Sequence, residues 1–154
     1  MKGLWKTIIY TAFALFVFAS NCFGATQIEV KQAIIKQAKE MGVEPAIVLS
    51  IAKTESSFRQ EAMGAGGTVG VFQLLPATAK NMGLNAYDLS DNIKGGIQYY
   101  KNMYQKFGSM ELAVASYNTG PEAIKRNNYK VPKHAQYFVN KIMSDYRYYK
   151  SQNL

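Results

Sequence analysis

Glu55 follows an apolar helical stripe, and its position suits proton transfer. Val48, Ile51 and Ala52 precede it by seven, four and three residues, so on a helix these side chains share its face. A carboxyl group beside apolar neighbours loses hydration, and its pKa rises because the charged form is disfavoured. Such an acid stays protonated near neutral pH and can donate a proton to a leaving oxygen. The pattern therefore predicts a general acid of the kind that cleaves glycosidic bonds.

Helical periodicity and capping residues predict the elements that position this acid. A capping-box pattern at Thr26 begins a first helix, which Gly42 ends. Pro45 suits the first turn of a second helix, and this helix carries Glu55 near its end. Residues 59–70 are rich in glycine and are predicted to form a loop.

Further helices are predicted after this loop. Pro76 opens a short helix that Gly83 ends, and Ser90 or Asp91 caps a longer helix that ends at Gly108. The inward face of the longer helix is predicted to contain Ile93, Ile97, Tyr100, Tyr104 and Phe107. Three more helices are predicted over residues 109–115, 121–124 and about 138–149. No stretch alternates with period two for long enough to predict a sheet, so we expect an all-α domain.

The first 24 residues predict a secretory signal peptide. Lys2 and Lys6 precede an apolar run over residues 8–19, which has the length of a signal-peptide core and is shorter than the roughly 20 residues of a membrane span. We expect a cut before Ala25, and an uncleaved N-terminal anchor is the alternative. A single domain over residues 25–154 would then act after export, in the periplasm or cell envelope.

Charge and composition narrow the range of partners and cofactors. The chain carries a net charge of +8, and because residues 1–24 contribute two lysines and no acids, residues 25–154 carry +6. Outside the cytoplasm this excess favours an anionic polymer such as the cell wall over nucleic acid, although scattered lysines also serve solubility alone. Cys22 is the only cysteine and His134 the only histidine. We therefore predict no metal site and no cofactor.

Four sequence blocks, in this order, resemble a known family. They are ESSF at residues 55–58, GTVGVFQLLPAT at 67–78, NIKGGIQY at 92–99 and ASYNTGP at 115–121. Together they resemble the catalytic (SLT) domain of the soluble lytic transglycosylases, in the goose-lysozyme-like superfamily. The resemblance spans nearly all of residues 25–154. It implies a small lysozyme-like helical domain with a groove for the glycan strands of peptidoglycan.

The resemblance also implies roles for individual residues. Glu55 would be the only catalytic acid, protonating the glycosidic oxygen between N-acetylmuramic acid (MurNAc) and N-acetylglucosamine (GlcNAc). It would then deprotonate the MurNAc 6-hydroxyl as a 1,6-anhydro ring closes without water. Gln73 would line the groove and contact sugar hydroxyl and acetamido groups, Tyr117 would place a phenol near Glu55, and Asn118 an amide in the adjacent turn. The alternatives are a solvent-facing loop residue for Gln73 and a core aromatic with a turn residue for Tyr117 and Asn118.

Two positions depart from the family pattern. The family has a serine nine residues after its glutamate, where this chain has Gly64, so one polar contact to the acid or to an acetamido group is in question. Near the C-terminus, the family tyrosine aligns with Phe138, next to Tyr137. Either the register shifts by one residue and Tyr137 supplies a hydroxyl to Glu55, or Phe138 belongs to the core and Tyr117 takes that role.

Three functions remain open on the sequence. The leading one is a lytic transglycosylase that acts as a monomer and serves an envelope-spanning secretion or conjugation complex, by analogy with small domains of the family. A hydrolytic lysozyme would need a second carboxylate to activate water, with Glu61, Asp88 and Asp91 as candidates. A wall-binding accessory protein would keep the groove, with catalysis weakened at Gly64.

Overall fold

The computed structural model describes residues 24–154, so the predicted signal segment up to residue 23 lies outside the described residues. This range contains seven α-helices and one 3-10 turn. They are α1 (Gln27–Glu40), α2 (Pro45–Ser56), α3 (Pro76–Asn81), α4 (Leu89–Phe107), α5 (Met110–Thr119), α6 (Pro121–Arg126), the 3-10 turn (Lys133–Ala135) and α7 (Gln136–Lys150). Extended pairing in this range is limited to two isolated bridges, Met63 with Val69 and Val69 with Leu74. The predicted all-α fold is confirmed.

Helix α1 begins where the capping pattern predicts. The Thr26 hydroxyl accepts from the Glu29 backbone N–H, and the Glu29 carboxylate accepts from the Thr26 backbone N–H. This reciprocal pair satisfies two donors that a helix start otherwise leaves free. Val30, Ile34 and Ala38 then recur at helical spacing and are buried. Helix α1 thereby covers one side of α2.

Helix α2 lies at the centre of the fold. Pro45 occupies its first turn, and residues 46–52 are all buried. A helix that is apolar on every side must be covered on every side, and α1, α4 and α7 pack against it. None of the helices within residues 24–154 is long and apolar enough to cross a membrane.

Two helices differ in extent from their predictions. The predicted caps of α4, Ser90 and Asp91, are wrong, because Asp88 is the N-cap and its carboxylate accepts from the Asp91 backbone N–H at 2.9 Å. Helix α5 continues past Ala115 to Thr119 and ends at Gly120, whose φ is +77°. Side-chain periodicity leaves such boundaries uncertain by several residues, since capping depends on which polar side chain folds back onto the backbone.

The inward face predicted for α4 is correct except at one end. Ile93, Ile97 and Tyr100 are buried, whereas Tyr104 is 46% exposed. Its ring stacks against Tyr100 at a centroid distance of 6.2 Å, so Tyr104 lies at the rim of the core.

The loop after α2 packs closely on α4 at a pair of glycines. Phe72 is fully buried, and a Cβ atom on Gly96 would overlap its ring. A Cβ atom on Gly95 would lie 2.7 Å from Leu74 Cδ1. The two adjacent glycines therefore let the backbone of α4 contact the loop side chains directly.

We expect Gly96→Ala to destabilise the fold by ~1–3 kcal/mol, because the overlap with Phe72 outweighs the better helix propensity of alanine. Urea denaturation followed by circular dichroism measures this change. Gly66→Ala is the matched control, since Gly66 is exposed and nothing lies within 4 Å of the position that its new methyl group would occupy. Equal midpoints for the two variants would contradict this account of the loop packing.

Candidate active site

Glu55 lies in the last turn of α2 and is half-buried. Burial raises the pKa of its carboxyl group from 4.5 to about 7, while the positive charge of Lys141 lowers it. This agrees with the pKa increase expected from the apolar stripe. A large share of the molecules therefore carries the Glu55 proton near neutral pH, as a general acid requires.

The turn after Glu55 ties α2 to the following loop. Ser57 and Phe58 have positive φ angles of 54° and 65°, which end the helix abruptly. The buried Ser56 hydroxyl donates to the Val71 carbonyl oxygen at 2.8 Å and accepts from the Arg59 backbone N–H at 3.0 Å. The serine next to Glu55 thus fixes the loop to the end of the helix that carries the acid.

Asn92 fixes the same loop from the side of α4. Its buried Oδ1 accepts from the Phe72 backbone N–H at 2.8 Å. Its Nδ2 donates to the carbonyl oxygens of Val69 at 2.9 Å and Ala86 at 2.8 Å. Gly70, with φ +81°, leaves space for this amide, which a Cβ atom would overlap. The sequence offered only a weak signal for this role, a polar residue directly before the apolar positions of a buried face.

Gln73 is held in place by hydrogen bonds within the loop. Its Nε2 donates to the carbonyl oxygens of Ala62 at 3.1 Å and Gly70 at 2.9 Å, and its Oε1 accepts from the Thr68 hydroxyl at 2.8 Å. The Gln73 backbone has a positive φ of 46°. Both amide hydrogens are therefore engaged by the protein, and the Gln73 side chain has no donor left for a sugar.

Tyr117 connects α5 to this loop and to Glu55. Its hydroxyl donates to the Phe72 carbonyl oxygen at 2.8 Å, and its ring meets Tyr99 edge-to-face at 5.3 Å. Burial raises the pKa of Tyr117 well above its ordinary value, and the negative charge of Glu55 raises it further. The phenol therefore stays protonated and lies within electrostatic range of Glu55.

A cavity of about 250 Å³ opens beside these side chains. Its lining includes Thr68, Gln73, Leu75, Tyr99, Tyr117 and Asn118, whereas Glu55 does not line it. The structure thus brings three of the predicted binding residues, Gln73, Tyr117 and Asn118, around one cavity. Thr68 and Tyr99 also line this cavity, and neither was predicted from the sequence as a site residue.

Near the C-terminus, the Phe138 side chain faces the hydrophobic core and the Tyr137 side chain faces solvent. Phe138 packs against the hydrophobic core from α7, whereas the Tyr137 side chain is 80% exposed. Tyr137 does not line the cavity that contains Gln73 and Tyr117. Phe138 therefore belongs to the core, and the Tyr117 hydroxyl, the other candidate, donates to the Phe72 carbonyl oxygen and not to Glu55.

Gly64 faces a space that is already filled. A Cβ atom on Gly64 would overlap Thr68 Oγ1 and lie 2.6 Å from Gln73 Oε1. The backbone of the two residues pairs as well, with the Gly64 N–H donating to the Thr68 carbonyl oxygen at 2.8 Å. A serine at position 64 therefore does not fit beside Thr68 without displacing it.

The candidate second acids have other places in the fold. Asp88 caps α4, and the Asp91 carboxylate accepts from the Asn85 backbone N–H at 2.9 Å. Glu61 is exposed and lines a different cavity with Met63 and Tyr87. Like Glu55, these three acids do not line the cavity next to Tyr117, so this cavity does not separate them from Glu55.

Comparisons with known proteins identify the family. Residues 32–139, more than half of the chain, match the family model described as the transglycosylase SLT domain. The chain is 34% identical over 82 residues to the transglycosylase of Enterobacteria phage PRD1, covering 53% of this chain and 31% of that protein. It is 27% identical over 133 residues to the membrane-bound lytic murein transglycosylase C of Actinobacillus succinogenes, covering 73% of this chain and 37% of that protein. The chain spans about a third of the length of these curated relatives.

A solved structure shares the fold. The lytic transglycosylase Slt of Pseudomonas aeruginosa superposes with a TM-score of 0.69 at 22% identity, covering 79% of this chain and 24% of that chain. This supports the lysozyme-like helical architecture predicted from the sequence blocks.

Glu55→Gln should stabilise the fold increasingly as pH rises. Between the ordinary pKa of 4.5 and about 7, folded wild-type protein binds more protons at Glu55 than the unfolded chain, so its free energy of unfolding falls with pH. Glutamine carries no charge and avoids this loss, which we expect to reach ~1–3 kcal/mol above pH 7. Thermal unfolding of both proteins from pH 4 to 8 measures it, with the exposed Glu61→Gln as the matched control. A constant difference between wild type and Glu55→Gln across this range would contradict the desolvation of Glu55.

Proposed function

The chain belongs to the transglycosylase SLT family, and from this premise we propose that it is a peptidoglycan lytic transglycosylase with Glu55 as its only catalytic acid and base. The observation that carries the proposal is the half-buried Glu55 in the last turn of the buried helix α2, where burial raises the pKa of its carboxyl group to about 7. Peptidoglycan as substrate is supported by the curated relative from A. succinogenes, which is a lytic murein transglycosylase.

In the first step, Glu55 donates its proton to the oxygen that links MurNAc to GlcNAc, and the bond from this oxygen to the MurNAc anomeric carbon breaks. Burial supports this step because it keeps the acid protonated near neutral pH. The leaving GlcNAc takes the proton as a 4-hydroxyl group. The 2-acetamido group of MurNAc stabilises the positive charge that develops at its anomeric carbon, in place of a second carboxylate.

In the second step, the Glu55 carboxylate takes the proton of the MurNAc 6-hydroxyl as that oxygen bonds to the anomeric carbon. This closes the 1,6-anhydro ring and returns Glu55 to its protonated form, so no water is consumed. The nearby positive charge of Lys141 stabilises the carboxylate between the two steps. Tyr117 remains protonated and donates to the Phe72 carbonyl oxygen, so its role is to hold the loop and the groove wall.

A hydrolytic lysozyme is the second candidate, since it needs the same acid. It also needs a carboxylate that activates water on the opposite face of the sugar. The carboxylates of Asp88 and Asp91 accept backbone N–H groups at the start of α4, and Glu61 is exposed. This distribution supports a reaction with one acid.

We further propose that residues 1–24 are a signal peptide and residues 25–154 the catalytic domain, acting as a monomer in the periplasm or cell envelope. Lysines ahead of a short apolar run support the export signal. The role in an envelope-spanning secretion or conjugation complex rests on analogy with small family members.

Glu55→Gln should lower the rate on purified peptidoglycan by at least ~10² to 10⁴, because glutamine keeps the shape of the side chain but cannot transfer a proton. Mass spectrometry of wild-type products formed in ¹⁸O-labelled water should show 1,6-anhydro ends without label. Glu61→Gln is the matched control and should retain the wild-type rate.

Two outcomes would contradict the proposal. Labelled reducing ends would show hydrolysis, and Asp88, Asp91 and Glu61 would then each be substituted to find the second acid. Equal rates for wild type and Glu55→Gln would remove Glu55 as the catalyst.

A further inference from the structure

We propose that Thr68 is a specificity-determining residue whose hydroxyl oxygen accepts a hydrogen bond from the acetamido N–H of an N-acetylated sugar in the groove. Thr68 lines the cavity of about 250 Å³ beside Tyr117. This inference deepens the proposed function and rests on it, because it names the group on the glycan that this cavity recognises.

Three hydrogen bonds determine which atoms of Thr68 and Gln73 donate and which accept. Ala62 and Gly70 present carbonyl oxygens to Gln73 Nε2, which must therefore be the amide nitrogen and spends both hydrogens on them. Gln73 Oε1 then faces Thr68 Oγ1 at 2.8 Å, and the shared hydrogen can come only from the threonine hydroxyl. Thr68 has thereby used its single donor.

The side chains of Thr68 and Gln73 have no unused hydrogen-bond donor, and only their oxygen atoms can make a further hydrogen bond, as acceptors. A hydroxyl oxygen that donates once still has lone pairs to accept with, and the same holds for the second lone pair of the amide oxygen. A ligand group at this point must therefore donate. An amide N–H is a donor only, whereas a carboxylate or carbonyl oxygen would meet a second acceptor and be rejected.

The surroundings of Thr68 favour an acetamido group over a plain hydroxyl. Leu75 and Tyr99 line the same cavity, and Leu75 is 47% exposed, so apolar surface is available beside the acceptor. An acetamido group combines an N–H donor with a methyl group that such surface can cover. Glycan strands of the wall carry this group on their sugars.

The position of Gly64 explains how Thr68 comes to hold this place. A Cβ atom on Gly64 would overlap Thr68 Oγ1, and the two residues pair directly through their backbones at 2.8 Å. Only one of the two positions can carry a side chain into this space. The chain therefore supplies from position 68 the hydroxyl that its sequence lacks at position 64.

The loop is rigid enough for Thr68 to discriminate between ligands. Backbone hydrogen bonds between Val69 and Leu74, at 2.9 and 3.0 Å, close the segment that starts at Thr68. Asn92 holds the Val69 carbonyl oxygen from α4 at 2.9 Å. A fixed acceptor discriminates because a ligand without the matching donor leaves it unpaired.

The test compares binding of two oligosaccharides by the whole chain. Isothermal titration calorimetry would use the GlcNAc tetramer and a counterpart in which a 2-O-acetyl ester replaces each acetamido group, with Glu55→Gln in every protein so that no ligand is cleaved. Thr68→Val keeps the shape of the side chain and removes the hydroxyl. We expect a ~5- to 20-fold loss of affinity for the GlcNAc tetramer, the effect of one hydrogen bond, and less than ~2-fold for the O-acetyl tetramer, which has no N–H at this position. Thr68→Ser, which retains the hydroxyl, should bind both ligands within ~2-fold of the parent.

A second variant at the same position checks that the loss comes from removal of the hydroxyl and not from the valine side chain. Thr68→Ala should lose affinity for the GlcNAc tetramer as Thr68→Val does.

Each other outcome would overturn the inference. Parent-like binding of the GlcNAc tetramer by Thr68→Val, or an equal loss for both ligands, would remove Thr68 as the acetamido acceptor while leaving the proposed reaction intact. Failure of the parent to bind any N-acetylated oligomer, together with no turnover of wall by wild type, would reject the proposed function as well.

Discussion

The buried amide of Asn92 is the contact on which the geometry of the site depends. Its three hydrogen bonds, to Phe72, Val69 and Ala86, attach the loop after α2 to the start of α4. These backbone groups are buried, so loss of the amide would leave them without partners at a cost of ~1–3 kcal/mol each. The Phe72 carbonyl oxygen, in turn, receives the Tyr117 hydroxyl. One side chain on α4 thereby holds the loop whose Phe72 carbonyl oxygen receives the Tyr117 hydroxyl.

The packing that stabilises the centre of the fold also removes water from the Glu55 carboxyl group. Helix α2 is buried along residues 46–52, and Glu55 follows one turn later at the edge of that core. The water excluded by the apolar neighbours is the water that would have solvated the carboxylate, which is why its pKa rises to about 7. The same burial lowers the free energy of unfolding at high pH, where Glu55 is charged, and keeps Glu55 partly protonated at neutral pH. Such a trade is common where catalysis needs a perturbed acid.

The sequence predicted the fold and the raised pKa of Glu55 because both follow from local patterns. Apolar spacing and helix caps gave the all-α architecture, and the stripe before Glu55 indicated its desolvation. Thr68 and Asn92 were not predicted, since their roles depend on contacts between segments that are distant in sequence, such as Asn92 with Phe72. Asp88 was missed as the cap of α4 for a related reason: several polar residues precede that helix, and only backbone geometry selects one.

The most direct measurement of the central claim is a crystal structure of Glu55→Gln with a MurNAc-containing glycan strand bound. The account predicts that the side-chain amide at position 55 lies about 3 Å from the glycosidic oxygen that links MurNAc to GlcNAc, with the MurNAc 6-hydroxyl on the same side of the ring. No carboxylate of the variant would lie close enough to the MurNAc anomeric carbon to activate a water molecule there. A glycan bound away from position 55, or a second carboxylate positioned on the opposite face of that sugar, would contradict a reaction carried by Glu55 alone.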